Sequence, residues 1–141
     1  MADKFSKEKR SIIMSHISGK ETKPEVLVRK LLFAKGLRYR KNVKSLRGKP
    51  DIVLPKYRTV VFIHGCFWHG HEGCIKAKLP DTRRKFWEKK ILGNINRDKA
   101  DVAVLIKKRW KVITIWQCEI NNTVKRENRV QLLVGEITGY I

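Results

Sequence analysis

The sequence predicts an α/β fold with a small mixed sheet flanked by helices, and two observations support this. Apolar runs at residues 52–54 and 59–63, separated by a proline-containing turn, are typical of two neighbouring buried strands. A third β-rich run at residues 112–116 follows helical segments, and this order of elements favours a parallel crossover. With 141 residues and no internal repeat, the chain is expected to form one domain, residues 1–141.

Helical segments fill much of the remaining chain. A basic, weakly amphipathic helix is predicted at residues 6–17, within an N-terminal arm spanning residues 1–20. Thr22 as a cap, with Pro24 in the first turn and Glu25 three residues after the cap, predicts a helix that stops at Gly36. Further helices are predicted at residues 82–90, 95–108 and 122–134.

The charge balance indicates a polyanionic partner. Lys and Arg number 33 against 13 Asp and Glu, which gives a formal charge of +20. Phosphate neutralisation drives the binding of such proteins to nucleic acid, so nucleic acid is favoured over an anionic membrane surface. The N-terminus has no apolar signal region, and no apolar run is long enough to span a membrane. We therefore expect a cytoplasmic protein that does not bind membranes.

The segment from His64 to Cys74 concentrates potential metal ligands, with three of the four histidines and two of the three cysteines. Cys118 ends the third strand, which in a parallel crossover finishes at the same sheet edge as the second. His69 and His71 point to opposite sides if the segment is extended, so one can face a metal while the other faces elsewhere. Sulfur and imidazole donors suit tetrahedral zinc, although three buried thiols without metal are an alternative. We assign four residues to a structural zinc site: Cys66, His71, Cys74 and Cys118.

Two residues of the same region suggest hydrolytic chemistry. Asp51 opens the first strand, beside the end of the second strand where His64 lies, and it offers a carboxylate to Mg²⁺ in a strongly basic chain. His69, which is not needed for zinc, is a candidate general base. A turn aspartate and a surface histidine explain these residues equally well. Glu25, as part of a capping box, and Asp98, as a charge on a helix surface, are open in the same way.

Aromatic residues follow the first cysteine directly. Phe67 and Trp68 cannot both easily point inward from a short loop pinned by metal, and Phe86 and Trp87 repeat the arrangement within a basic segment. Exposed rings beside cationic groups suit stacking on nucleobases or wedging between base steps. Met14 in the arm is either a core contact or a minor-groove wedge. The alternative is that these rings pack on the metal loop and core. We prefer that alternative for Trp110 and Trp116.

The sequence resembles the very-short-patch-repair (Vsr) DNA mismatch endonucleases along nearly its whole length. The motifs that carry this resemblance are Thr22-Lys23-Pro24-Glu25, Gly48-Lys49-Pro50-Asp51, Phe62 to His69, Phe86 to Lys90, Asn96-Arg97-Asp98 and Trp116 to Glu119. The stretch from His71 to Cys74 is one residue longer than the His-x-Cys spacing of this family. Phe62-Ile63-His64 stands where restriction-type nucleases have Glu-x-Lys, a departure that the Vsr proteins share.

This resemblance implies a restriction-endonuclease-like fold and a Mg²⁺-dependent nick in one DNA strand, 5′ to the thymine of a T:G mismatch left by deamination of 5-methylcytosine. The implied catalytic side chains are Asp51, His69, Glu25, His64 and Asp98. Asp51 would bind Mg²⁺ with help from the Ile63 carbonyl, and His69 would be the general base. Glu25 and His64 would order the metal-bound water and the phosphate, and Asp98 would be a weaker supporting residue.

The resemblance also implies wedge residues that enter the duplex beside the mismatch. These are Phe67, Trp68 and Trp87 from the major groove, and Met14 from the opposite side. A mispaired step is weakly stacked, so wedging there costs less than at a matched step. We expect a nucleoid-associated monomer that acts on mismatched duplex DNA, with mismatch-repair proteins as further partners. The alternatives are a restriction-type nuclease on matched DNA and a non-catalytic, zinc-stabilised nucleic-acid-binding module.

Overall fold

A computed structural model describes residues 23–41 and 43–139. The helices are α1 (Pro24–Ala34), α2 (Arg84–Lys107) and α3 (Thr123–Thr138). The strands are β1 (Arg40–Lys41), β2 (Ile52–Leu54), β3 (Thr59–His64) and β4 (Lys111–Trp116). The predicted arm at residues 1–20, including Met14, lies outside the described residues. No helix in the described part of the chain is long and apolar enough to cross a membrane.

The four strands form one mixed sheet in the order β1-β2-β3-β4. The first three strands pair antiparallel, and β3 pairs parallel with β4 in a register that places His64 opposite Trp116. The α/β class, the hairpin and the parallel crossover predicted from the sequence are therefore confirmed. Because β2 and β3 run antiparallel, the start of β2 lies at the same sheet edge as the ends of β3 and β4.

Helices cover both faces of the sheet, which explains why every residue of β3 is buried. On one face, α1 and α3 pack against alternate strand residues in a large cluster that includes Leu32, Ile115 and Leu133. On the other face, Leu105 of α2 packs against Phe62 and other alternate residues of the sheet. The sheet is thus the middle of three layers. A site can form at the edge where β2 starts and where β3 and β4 end.

The prediction of two helices at residues 82–90 and 95–108 is wrong, because α2 is continuous from Arg84 to Lys107. Gly93 lies in the middle of this helix with nothing near its Cβ position. A glycine there costs about 1 kcal/mol relative to alanine. Packing on either side, where Ile91 and Leu105 are buried, offsets that cost.

The start of α1 differs from the predicted capping box. The N-cap residue is Lys23 and not Thr22, which lies outside the described residues, and no side chain caps the helix. Glu25 therefore occupies the second helical position, where a capping box does not explain it. The last helix begins as predicted beside Asn122, whose side chain accepts a hydrogen bond from the Lys125 backbone N–H at 2.9 Å, but it continues to Thr138.

Adjacent leucines of α3 provide a test of this packing. Leu133 is fully buried between α3, α1 and the sheet, whereas Leu132 is 58% exposed. We expect Leu133→Ala to lower the free energy of unfolding by about 2–5 kcal/mol, because it removes buried methyl groups and leaves a cavity. Leu132→Ala should change it by less than about 0.5 kcal/mol. Urea unfolding followed by circular dichroism measures both, and equal losses would contradict this description of the core.

Candidate active site and metal centre

A cavity of about 200 Å³ opens at the sheet edge where β2 starts and β3 ends. It brings together residues that are far apart in the chain, from the turn before β2, from β3, from the loop that follows and from α2. The lining residues are Gly48, Lys49, Asp51, Phe62, Ile63, His64, His69, Asp98, Asp101 and Val102. Four of the five predicted catalytic side chains thus share one cavity.

Asp51 is held at this edge by the hairpin. Its Oδ2 atom accepts a hydrogen bond from the Ile63 backbone N–H at 2.6 Å. Burial raises the pKa of the Asp51 carboxyl above its ordinary value, and the nearby Glu25 carboxylate raises it further, while the Ile63 hydrogen bond and the charges of Arg29 and His69 act in the opposite direction. The fifth predicted catalytic residue, on α1, is therefore also close to the site. Two carboxylates in a partly buried corner favour the binding of a cation.

His69 is paired with Asp98 of α2. Its Nδ1 atom lies 2.6 Å from Asp98 Oδ2, and both side chains are mostly shielded from solvent. A proton on Nδ1 is donated to the carboxylate in this pair, which leaves Nε2 available to accept a proton from another group. The structure therefore pairs Asp98 with a site histidine, and not with a neighbouring Lys or Arg on a helix surface.

His64 stacks on His69, with ring centroids 3.8 Å apart and planes inclined by 4°. Burial, and then the positive charge of His69, lower the pKa of His64 to about 4 against the opposing effect of Asp98. His64 is therefore an uncharged imidazole at neutral pH. Potential ligand atoms of His64, His69 and Asp98 all lie within 4.8 Å of one another, so this group is also a candidate metal site.

The loop after β3 also contributes to a second cluster of potential metal ligands. Its members contribute one imidazole nitrogen and three sulfur atoms, which all lie within 4.8 Å of one another: Cys66, His71, Cys74 and Cys118. Three sulfurs and one imidazole are a donor set that suits tetrahedral zinc, and this mutual spacing suits ligands of a single ion. Burial, together with the neighbouring thiols, raises the pKa of the Cys118 thiol to about 11. A bound cation would relieve the cost of ionising such crowded thiols.

The loop between the two clusters turns back on itself and is not extended. His69 N–H donates to the Gly65 carbonyl at 3.1 Å and His71 N–H donates to the Cys66 carbonyl at 2.9 Å. Gly70 has φ of +59°, and a Cβ there would lie 2.6 Å from Ile95 of α2. The two histidines face different groups, but a tight turn at Gly70 separates them, and the alternation expected for an extended segment does not apply.

Residues around Cys118 hold the sulfur cluster in place. Sequence reasoning expected Trp116 to pack on the metal loop, but it gave no role to Glu119 or Arg129. Glu119 accepts hydrogen bonds from the Trp116 backbone N–H at 2.8 Å and from Arg129 at 3.2 Å. The Trp116 ring stacks on His71, with centroids 4.1 Å apart and planes inclined by 7°. These contacts join α3 to the end of β4 and fix the turn that carries Cys118.

The predicted wedge residues form one aromatic cluster beside the loop. The ring centroids of Phe67, Trp68 and Trp87 are 5.2–5.8 Å apart in edge-to-face arrangements. Trp68 is 51% exposed, and its carbonyl accepts a hydrogen bond from Asn94 of α2 at 2.9 Å. Phe86, in contact with Trp87, is 46% exposed. Trp68 and Phe86 therefore present apolar surface to solvent, and Trp68 directly precedes His69, which lines the cavity.

Other residues near the cavity also escaped the sequence reasoning. Lys49 and Asp101 line it, Arg47 pairs with Asp101 at 2.6 Å, and Arg29 interacts electrostatically with Asp51 although it is only 9% exposed. One signal was present, since Arg29 stands one helical turn after Glu25 and shares its face of α1. For Arg47, Lys49 and Asp101 no such signal was present, because the contact between the turn before β2 and α2 joins segments about fifty residues apart.

Comparisons with known proteins agree with the resemblance found in the motifs. The model of the family "DNA mismatch endonuclease Vsr" matches residues 2–76. The chain is 53% identical over 137 residues to the type II nicking enzyme V.NmeAIP of Neisseria meningitidis serogroup A, covering 97% of each protein. It is 41% identical over 125 residues to the DNA mismatch endonuclease Vsr of Escherichia coli K12, covering 89% of this chain and 80% of that protein. The chain therefore belongs to the Vsr family of DNA mismatch endonucleases.

Proposed function

We propose that this protein is a Mg²⁺-dependent endonuclease that nicks one DNA strand 5′ to the thymine of a T:G mismatch. The observation that carries the proposal is the single cavity that contains Asp51 and the His69–Asp98 pair. The exposed Trp68 directly precedes His69 of this cavity, in a chain with a formal charge of +20. Positive charge supports binding to any duplex, whereas the rings support selection of a weakly stacked step.

The side chains of the cavity support hydrolysis of a phosphodiester. The carboxylate of Asp51, with Glu25 nearby and the Ile63 carbonyl as a further proposed ligand, fits the oxygen preference of Mg²⁺, which would stabilise negative charge on the phosphate. His69 accepts the proton of the attacking water at Nε2, while Asp98 holds the ring and stabilises its charged form. His64, uncharged at neutral pH, orients the ring of His69 by stacking and helps to order the water and the phosphate.

The aromatic cluster recognises the mismatch in this proposal. Insertion of Phe67, Trp68 and Trp87 beside a T:G pair requires unstacking, and a mispaired step costs less to unstack than a matched one. Met14, outside the described residues, completes the proposal by entering from the opposite side. Selection then depends on the ease of deforming the DNA as well as on contacts with the bases.

The sulfur cluster is proposed to hold a structural zinc ion. An ion shared by Cys66, His71, Cys74 and Cys118 would tie the end of β4 to the loop that carries His69 and the wedge rings. The β2–β3 hairpin with parallel β4 supports a restriction-endonuclease-like fold. A cut in one strand requires only one such cavity, which supports action as a monomer. We also propose that other mismatch-repair proteins bind this protein.

Cleavage of end-labelled duplexes tests the proposed activity. With Mg²⁺, we expect a nick 5′ to the thymine of T:G duplexes in a panel of sequence contexts, and none with T:A duplexes or with EDTA. Asp51→Asn should abolish the nick, because it removes the charged metal ligand, whereas Glu127→Gln on the exposed side of α3 should not change it. Equal cutting of T:A duplexes would indicate a restriction-type nuclease, and binding without any cut would indicate a non-catalytic module.

A double-mutant comparison tests the pairing of His69 with Asp98. We expect His69→Ala to lower the single-turnover nicking rate by about 10²–10⁴-fold, as for the loss of a general base. Asp98→Ala should lower it by a smaller factor, and the double variant should be no slower than His69→Ala, since the two residues act as a unit. Asp81→Ala, at a side chain that is 96% exposed, is the control. Multiplicative losses in the double variant would mean that the two residues act independently.

Metal analysis tests the zinc proposal independently of activity. We expect one zinc ion per purified chain. Cys74→Ser should lose this zinc and have a lower melting temperature, because zinc binding contributes to folding. Ile75→Ala changes the neighbouring residue, which is 87% exposed, and should retain both the metal and the melting temperature. Pure protein without zinc, whose melting temperature does not respond to a chelator, would contradict the assignment.

A further inference from the structure

We propose that Lys49 binds the phosphate 5′ to the mismatched thymine, and this inference rests on the proposed function. Lys49 lines the same cavity as Asp51, Ile63 and the two stacked histidines. In the part of the chain that the structure describes, it is the only Lys or Arg among the lining residues, and no carboxylate there forms an ion pair with it. Its ammonium group is therefore available to a ligand.

The charges of the cavity explain why a phosphate needs this lysine. Asp51, Asp98 and Asp101 bring carboxylates to the lining, with Glu25 nearby, and these groups repel a phosphodiester. Arg47 pairs with Asp101 and Arg29 lies near Asp51, so these groups and a divalent cation offset much of this charge. Neither arginine lines the cavity, however, and Lys49 is the cationic side chain there that can contact a phosphate directly. A compact ammonium group on a flexible stem is a good point-charge partner for a phosphate oxygen.

The backbone presents Lys49 in an uncommon conformation. Gly48 has φ of +78° and Lys49 has φ of +51°, so two successive residues are left-handed immediately before Pro50 and Asp51. Lysine adopts this region at a cost, because its Cβ crowds the following carbonyl. A strained non-glycine residue persists where its surroundings over-determine it, and such positions cluster at functional sites. Lys49 lies two residues before the proposed metal ligand, Asp51, in the sequence.

The surroundings that hold this turn are contacts with α2 and β3. Arg47 Nε lies 2.6 Å from Oδ1 of Asp101, whose side chain is only 13% exposed. A Cβ on Gly48 would lie 3.1 Å from both Asp101 and Phe62, so the turn is seated directly on these residues. Asp101 stands three residues after Asp98 on the same face of α2. One helix face thus positions both the general base and the lysine turn.

A binding cycle tests the contact. The affinity of wild-type protein and of Lys49→Ala is measured in EDTA for two T:G duplexes: one native, and one with a neutral methylphosphonate 5′ to the thymine. We expect wild type to bind the neutral duplex about 10-fold more weakly, as for a lost charge-assisted hydrogen bond. Lys49→Ala should lose the preference for the native duplex and nick that duplex, with Mg²⁺, about 10–100-fold more slowly, while Lys49→Arg retains the preference.

Two further variants make the result decisive. Lys49→Gly removes the ammonium group but accepts the left-handed backbone, so it should reproduce the binding of Lys49→Ala without any loss of melting temperature. Lys56 lies at the opposite end of the β2–β3 hairpin, and Lys56→Ala should behave as wild type. If Lys49→Ala or Lys49→Gly still discriminates between the duplexes as wild type does, the inference is overturned. A wild-type protein that binds without nicking overturns the proposed function instead, since the binding cycle still decides the role of Lys49.

Discussion

The parallel pairing of β3 with β4 is the constraint on which both candidate centres depend. It places His64 opposite Trp116, so the chain that leaves β3 and the chain that leaves β4 emerge side by side. Cys118 consequently reaches the loop after β3, although about fifty residues of sequence separate them. The antiparallel partner β2 then brings Asp51 to the same edge. A shift of this register by one residue would exchange the faces of every β4 side chain and separate Trp116 from His71.

The continuity of α2 is a second constraint, because this single helix contacts each part of the site. Near its start, Trp87 joins the aromatic cluster, and in its middle Ile95 packs closely on Gly70 of the loop. Farther along, Asp98 holds His69 and Asp101 holds the turn that carries Lys49. A break near Gly93 would allow the wedge and the catalytic pair to move separately. In the proposed mechanism, the unbroken helix therefore links the proposed wedge residues to the proposed general base.

The sequence predicted those parts of the molecule that local chemistry specifies. Apolar runs and turn residues identified the hairpin and β4, and the density of thiols and imidazoles identified the residues that converge in the sulfur cluster. The capping box at Glu25 and the break in α2 were wrong, because tertiary packing outweighs cap and glycine preferences of about 1 kcal/mol. The role of Asp98 stayed open for a different reason. Its hydrogen bond joins positions that are 29 residues apart, and no local pattern distinguishes it from a surface charge.

The contrast between the charge of the whole chain and that of the cavity separates affinity from chemistry. A formal charge of +20 attracts any duplex over a distance comparable with the Debye length and carries no preference for a mismatch. The cavity itself is lined by carboxylates, and in our proposal Lys49, helped by a divalent cation when one is bound, offsets the repulsion of a phosphate that enters it. An intact, well-stacked duplex therefore gains little free energy by moving a phosphate from the basic surface into the acidic cavity. In the proposed mechanism, insertion of the aromatic cluster costs least at a mispaired step, and this difference in cost favours placing the phosphate of a mismatched duplex in the cavity.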